Sequence, residues 1–235
     1  MDTYNTGKQG KPKRCIELGA GVGLVGLTLA SLSFDVVMTD IPFVLQSVLL
    51  PNIRRSKPLF APCPASDDPS SAPTPSSDRP TQGGSVVGRE LDWTVDPADW
   101  NWVENPSSVT SQWVDPSSVT SVGTCSTRFS PAPAGPPFDL ILTTDTIYLP
   151  SLLPHLLKTL KTLSSLSGHP PILLALERRD PALVDRSLDE FLNAGFEAKM
   201  VNKGRLKKSV DRHLGWAKSD WDGVEVWKFR YKKLE

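Results

Sequence analysis

Short apolar runs bounded by polar, glycine or proline residues recur along the chain, and seven of them read as β-strands. They are RCIEL (14–18), DVVMTD (35–40), VVGRELDW (86–93), FDLILTTD (138–145), PILLALER (171–178), FEAKMV (196–201) and VEVWKFRYK (224–232). Four of these are nearly continuous in apolar residues, the pattern of strands buried on both faces of a parallel sheet. Between the runs the apolar period lengthens to that of a helix. A helix of about two to three turns fits between the first two strands. In SLLPHLLKTLKTLSSLS (151–167), Leu152, Leu153, Leu156, Leu157, Leu160 and Leu163 fall on one stripe that buries one face, and Gly168 supplies a stop. Asp180 as N-cap and Pro181 at the first helical position open a further helix that runs to Gly195, where a left-handed residue is needed. Strand alternating with helix predicts an α/β fold with a doubly wound, mostly parallel sheet.

Two stretches break this series. Residues 61–85, APCPASDDPSSAPTPSSDRPTQGGS, are too poor in large apolar side chains to offset the entropy of ordering and read as a disordered insertion. Residues 104–137 read as a second one, overlapping a short tandem echo, WVENPSSVTS (102–111) and WVDPSSVTS (113–121), with too few copies for a repeat architecture. Both are expected as decoration on a single domain spanning residues 1–235.

Composition narrows the classes. The formal net charge is +0, which gives no electrostatic case for wholesale nucleic-acid binding. Cys15, Cys63 and Cys125 are far apart and odd in number, signalling neither a disulfide framework nor a zinc site. A reducing compartment, cytoplasmic or nuclear, is expected. Lys8, Lys11, Lys13 and Arg14 precede the first apolar run as in a secretory signal, and small residues near Ala30 offer a cleavage site. Glu17 interrupts that run, and each glycine in it costs a helix about 1 kcal/mol relative to Ala. The uncharged part, residues 18–34, is shorter than the ~20 residues of a membrane-spanning helix, and no later segment comes closer.

The chemistry gathers in ELGAGVGLVG (17–26). Glycines between a first strand and a first helix let the backbone approach a ligand closely, and the helix N-terminus behind them favours negative charge. Residues 21–26 fit G-x-G-x-x-G, and Asp40, ending the second strand, is placed for ribose hydroxyls, so an NAD-dependent oxidoreductase is one reading. Glu17 tilts the balance. A carboxylate just ahead of the glycines would repel a pyrophosphate but suit a ligand carrying an ammonium and a sulfonium, which points to S-adenosylmethionine.

These residues, with TD at 39–40, LDW at 91–93 and FDLILTTDTIY at 138–148, resemble the seven-β-strand protein methyltransferases, most closely the methyltransferase-like family 16. That group includes lysine methyltransferases acting on chaperones and translation elongation factors. The resemblance runs from about Arg14 to Lys232, apart from the two insertions. It implies a Rossmann-like sheet of six parallel strands with the last strand antiparallel. It places Glu17, Gly19, Gly21 and Gly23 along the methionine and ribose of the cofactor, Asp40 on the ribose hydroxyls, Trp93 beside the adenine, and Thr144 where the fourth strand passes the cofactor. Asp145 and Tyr148 match a D-x-x-Y motif at the mouth of the site. A carboxylate there can draw in a lysine ammonium and orient it, and Tyr148 can wall the channel; from spacing alone, a capping role for Asp145 weighs equally.

Other polar residues carry less. His155 lies in a leucine-rich helix, His169 and His213 lack an acid at triad spacing, and no serine sits in a nucleophile elbow. Lys203, Arg205, Lys207, Lys208 and Arg212 form a basic cluster that reads as a solvated loop, with recognition of an acidic protein surface as the alternative. Glu177, Arg178 and Arg179 end the fifth strand on the substrate side. The resemblance implies a longer segment ahead of the first strand that covers the cofactor, where residues 1–14 here are polar and loop-like, so the core is expected to be complete and the site less well closed. The leading expectation is a monomeric protein-lysine methyltransferase with a protein substrate such as elongation factor 1A. The others are an NAD-dependent oxidoreductase and a non-catalytic binding module.

Overall fold

The computed structural model describes residues 12–56, 84–113, 135–213, 215–217, 219 and 221–232. Seven strands form one sheet in the order β3-β2-β1-β4-β5-β7-β6: β1 Arg14–Leu18, β2 Asp35–Asp40, β3 Val86–Glu90, β4 Leu140–Thr144, β5 Ile172–Glu177, β6 Phe196–Met200 and β7 Val224–Tyr231. β1 to β5 pair in parallel, whereas β7 pairs antiparallel with both β5 and β6. The last strand is therefore inserted between β5 and β6 with its direction reversed, as the resemblance implies. β1 and β2 are buried along nearly their whole length, because helices cover both faces.

One face carries α4 (Leu153–Leu166) and α5 (Pro181–Asn193), whose Leu156, Leu160, Val184 and Phe191 pack on Ile16, Leu18, Ile141 and Phe229. The other carries α1 (Leu24–Ser31) and the helical run after β2, packed on Cys15, Val36 and Met38. α4 and α5 follow the sequence pattern closely. Asp180 accepts a hydrogen bond from the Leu183 amide at 3.0 Å, and Gly168 and Gly195 adopt φ of 70° and 90°.

The run after β2 was not anticipated. It comprises α2 (Pro42–Val44), a π-helical stretch Leu45–Leu49 and α3 (Leu50–Ser56), with Leu45, Leu49 and Ile53 buried. Pro51 lacks an N–H and would crowd the preceding turn of a regular α-helix; the wider π stretch ahead of it relieves that clash. A second difference is α6 (Lys203–His213), a helix where a solvated loop was expected. Leu206 is partly buried and Val210 buried, four residues apart, and this single apolar stripe anchors an otherwise charged segment.

The two insertions fare differently. Of residues 61–85 only Gly84 and Ser85 are among the described residues, and Ser85 bonds Asp35 through its amide and hydroxyl. Of residues 104–137, residues 114–134 lie outside the description, but 104–113 are packed onto the end of β3 rather than forming surface decoration. Arg89 and Glu90 are both fully buried there and need partners. The Arg89 guanidinium donates to the carbonyls of Trp102 (3.1 Å), Asn105 and Ser108 (2.9 Å), while Glu90 accepts from the hydroxyls of Ser108 and Thr110. Val109 fills the core beside them. Burial pushes the Arg89 guanidinium down to about 10. Ser108 and Thr110, of the residue types that make this segment look disordered, supply the hydroxyls that hydrogen-bond the buried Glu90 carboxylate.

Candidate functional site

Strand order reverses between β1, which leads leftward to β2, and β4, which leads rightward to β5. In open α/β sheets the crevice at such a switch point, beyond the carboxyl ends of the strands, is where ligands bind. The glycine loop after β1, Asp40 at the end of β2, Trp93 beyond β3 and Asp145 after β4 all lie at this edge.

The loop is built from positive-φ glycines: Gly19, Gly21 and Gly23 have φ of 62°, 55° and 84°, and Gly23 is the N-cap of α1. A Cβ on Gly19 would lie 2.9 Å from Thr146 Cγ2 and 3.2 Å from the Trp93 ring, so this glycine lets the loops after β1, β3 and β4 close on one another. A Cβ on Gly21 would meet nothing within 4 Å, leaving open space above the loop.

Asp40 braces this loop from β2. Its Oδ2 accepts the Gly21 amide and its Oδ1 the Ile41 amide, both at 2.8 Å, and burial raises its carboxyl above the ordinary range. Each oxygen retains a lone pair for a ribose hydroxyl. Glu17 sits below the loop. It is 1% exposed and its Oε2 accepts the Gly26 amide at 2.9 Å, satisfying one of the orphan donors of the first turn of α1. Burial, with the nearby Asp40 charge adding to it, pushes the Glu17 carboxyl up to about 7. Glu17 thus holds the loop's shape from beneath.

Three threonines missed in the sequence tie the strand ends together. Thr39 Oγ1 donates to the Glu17 carbonyl at 2.8 Å, Thr143 Oγ1 donates to the Leu18 carbonyl at 3.1 Å, and Thr143 and Thr146 hydroxyls meet at 2.7 Å. Thr143 and Thr146 flank Thr144 and Asp145 in the run TTDT, and Thr39 precedes Asp40. Thr144, the predicted contact, is partly buried at the last paired position of β4, opposite Ala175.

Trp93 is partly buried, and its indole Nε1 is enclosed without a hydrogen-bond partner among the described residues. Its position is fixed by the Leu91 amide on the Asp40 carbonyl (3.0 Å) and the Asp92 amide on Thr110 Oγ1 (2.9 Å), so the 104–113 segment sets the indole in place.

Asp145 has φ 52°, an uncommon conformation for a side-chain-bearing residue and one seen at functional turns. It caps no helix. Its amide donates to the Ala175 carbonyl at 2.9 Å and its Oδ1 accepts the Glu177 amide at 3.1 Å, which lashes the turn after β4 to the end of β5. The side chain is 59% exposed, leaving Oδ2 open to solvent with the Arg179 guanidinium 4.0 Å away. Arg179 is paired more closely with Glu177, at 2.6 Å. Tyr148 and Leu149 are exposed in the segment after β4, as are Val22 and Leu24 at the start of α1 and Ile41 and Phe43 just after β2.

The structure thus brings Glu17, Gly19, Gly21, Gly23, Asp40, Trp93, Thr144 and Asp145 to one edge, with Tyr148 on its outer side. An open space above Gly21, a carboxylate with free lone pairs and an enclosed indole donor fit a nucleoside. Among the described residues no cluster of His, Cys, Asp and Glu is arranged to hold a metal ion, and no helix is long and apolar enough to cross a membrane.

Comparison with known proteins adds the chemistry. Among solved structures, similarity extends to magnesium protoporphyrin IX methyltransferase from Synechocystis PCC 6803 with bound S-adenosylmethionine, at 11% identity and a TM-score of 0.42, covering 95% of this chain and 72% of that one. The ribosomal protein L11 methylase of Lactobacillus delbrueckii subsp. bulgaricus has 11% identity and a TM-score of 0.43, covering 95% and 73%. An O-methyltransferase family protein of Burkholderia thailandensis has 10% identity and a TM-score of 0.49, covering 95% and 52%. No curated protein matches. A lysine methyltransferase family matches residues 2–61 and 128–194, which include the glycine loop, Asp40, Asp145 and Tyr148 but not Trp93. The match takes in more than half of the chain: the protein belongs to the lysine methyltransferase family, and its methyl donor is S-adenosylmethionine.

Proposed function

We propose that the protein is a protein-lysine N-methyltransferase in which Gly19, Gly21, Gly23, Asp40, Trp93 and Thr144 form the cofactor site, the buried Glu17 braces the glycine loop from beneath rather than touching the ligand, and Asp145 and Tyr148 receive the lysine. The observation that carries this reading is Asp145, held at a left-handed φ by hydrogen bonds to two residues of β5, with Oδ2 open at the switch-point crevice.

S-adenosylmethionine, when bound, supplies an electrophilic methyl group on a sulfonium. The chain's own residues do the rest. The positive-φ glycines allow the backbone to approach the methionine portion, and Asp40 accepts from the ribose hydroxyls. Trp93 offers a ring face and an indole donor to the adenine. Asp145 Oδ2 attracts the substrate ammonium and accepts a hydrogen bond from it, fixing the direction of the amine; the proton leaves toward solvent or this carboxylate before attack. Tyr148, with the exposed apolar side chains on neighbouring loops, walls the lysine's methylene stem. Catalysis then rests mainly on alignment and proximity of the two reacting groups.

The same family match supports a protein substrate, and elongation factor 1A is the first candidate to assay. Asp145→Ala and Asp145→Asn are the test. Both are expected to lower methyl transfer to the substrate by about 100-fold or more, the scale of a lost positioning and proton-accepting group, with S-adenosylhomocysteine affinity unchanged within about twofold. Full turnover by Asp145→Asn would overturn the role given to this residue.

A further inference from the structure

The helix α6 carries more charge than its packing uses. Lys203, Arg205, Lys207, Lys208 and Arg212 oppose a single acid, Asp211, in a chain whose formal net charge is +0. Lys203 lies 3.6 Å from Glu225, and Lys207 is paired with Asp211. Arg205, Lys208 and Arg212 are exposed and have no ion pair among the described residues. At 100° per residue these three fall within about 60° of arc, and the anchoring residues Leu206 and Val210 fall on the far side of the helix. The basic face therefore points away from the protein body and spans about 10 Å along the axis.

Its position relates it to the site. β6 runs parallel to β5, so α6 begins at the same sheet edge as Asp145. A continuous set of contacts joins the two. Lys203 reaches Glu225, Glu225 is held by Arg178 at 3.0 Å, and the neighbouring Glu177 and Arg179 both reach Asp145. Arg178 also pairs with Asp185 at 2.7 Å. The edge thus presents the open carboxylate oxygen of Asp145 at the lysine entrance, beside the Glu177–Arg179 ion pair, and a three-cation face farther along the same edge.

On the reading above of a lysine substrate, we infer that α6 is a docking surface for an acidic protein surface next to the target lysine. Charge complementarity selects this occupant. A polybasic tail would have its other cations placed against Arg205, Lys208 and Arg212, whereas a lysine flanked by carboxylates suits Asp145 and the three-cation face at once. Three cations on one helix face are too few to track a nucleic-acid backbone across this neutral chain, so the surface suits a protein carboxylate patch.

The test uses the full chain loaded with S-adenosylhomocysteine and two fluorescent probes, a glutamate-rich copolymer of glutamate and lysine and polylysine, with binding followed by anisotropy. Two variants are compared, Arg205→Gln/Lys208→Gln/Arg212→Gln and the corresponding triple substitution to Glu, both of which keep good helix formers. The wild type is expected to prefer the glutamate-rich copolymer, with affinity falling as salt rises. The Gln variant is expected to lose about tenfold in that affinity and the Glu variant more, both with unchanged S-adenosylhomocysteine binding. Equal copolymer binding by wild type and variants, a preference for polylysine, or displacement of the copolymer by lower concentrations of an RNA duplex would each overturn the inference while leaving the cofactor site standing. Failure to bind S-adenosylhomocysteine would instead overturn the proposed function.

Discussion

Glu17→Gln isolates what the buried acid does. The carboxyl is 1% exposed and lies under the glycine loop, where desolvation lifts it from an ordinary 4.5 to about 7. At about 1.36 kcal/mol per pH unit, that rise corresponds to about 3 kcal/mol. The folded state binds the proton more tightly than the unfolded chain, so between pH 4.5 and 7 it holds a proton that unfolding releases. Stability is then highest below about 4.5, falls as pH rises through this window, and has lost the full amount above about 7. Glutamine keeps an acceptor for the Gly26 amide and never ionises. Its unused amide hydrogens add a cost of about 1–3 kcal/mol that does not depend on pH. The informative quantity is therefore the change with pH in the stability difference between variant and wild type. Urea unfolding from pH 4.5 to 8 is expected to show that difference moving by about 3 kcal/mol in favour of the variant, with Asp40 common to both proteins. A difference constant within about 1 kcal/mol across that range would refute the claim that Glu17 is a desolvated carboxylate.

Gly26→Ala should destabilise the protein although it lies in a helix, where alanine ordinarily gains about 1 kcal/mol. Its Cβ would lie 2.5 Å from Glu17 Oε2 and 2.7 Å from Met38 Cγ, so overpacking of about 1–3 kcal/mol adds to a strained hydrogen bond; thermal melting by circular dichroism reads the net loss, and a raised Tm would contradict it. Trp93→Phe keeps an aromatic face and removes the enclosed indole donor. The ligand-free protein is expected to be as stable or more stable, and S-adenosylhomocysteine affinity to fall about tenfold, the scale of one hydrogen bond in a dry site; unchanged affinity would remove the donor from the adenine contact.

The parts of this fold written in local patterns were legible in the sequence. RCIEL and DVVMTD fall on β1 and β2 without displacement, and the leucine stripe and Asp180 cap define α4 and α5. The parts decided by tertiary partners were not. Pro51 disguised the helical run from 42 to 56, because a proline inside a helix normally argues against it and the π stretch that accommodates it has no sequence signature. Serine and threonine at 107–110 resembled loop filler until Arg89 and Glu90 were seen buried against them. α6 has only Leu206 and Val210 to mark its inner face.

The candidate site was legible as a set of residues and less so as a set of roles. Glycine spacing located the loop, since only positive-φ positions explain Gly19, Gly21 and Gly23 together. The spacing could not tell that Glu17 points beneath the loop at the Gly26 amide, because strand alternation is hidden when both faces are buried. Nor could it show that Asp145 is tied to β5 rather than capping a helix, a contact made across 32 residues.

The most direct measurement is a calorimetric titration of the purified 235-residue chain with S-adenosylhomocysteine, with NAD in parallel and Asp40→Ala as the matched variant. Micromolar binding of S-adenosylhomocysteine alone is expected, weakened about tenfold or more in the variant through loss of the ribose contact and of the brace on Gly21. Absence of S-adenosylhomocysteine binding, or equal binding by Asp40→Ala, would contradict the site assigned at this sheet edge.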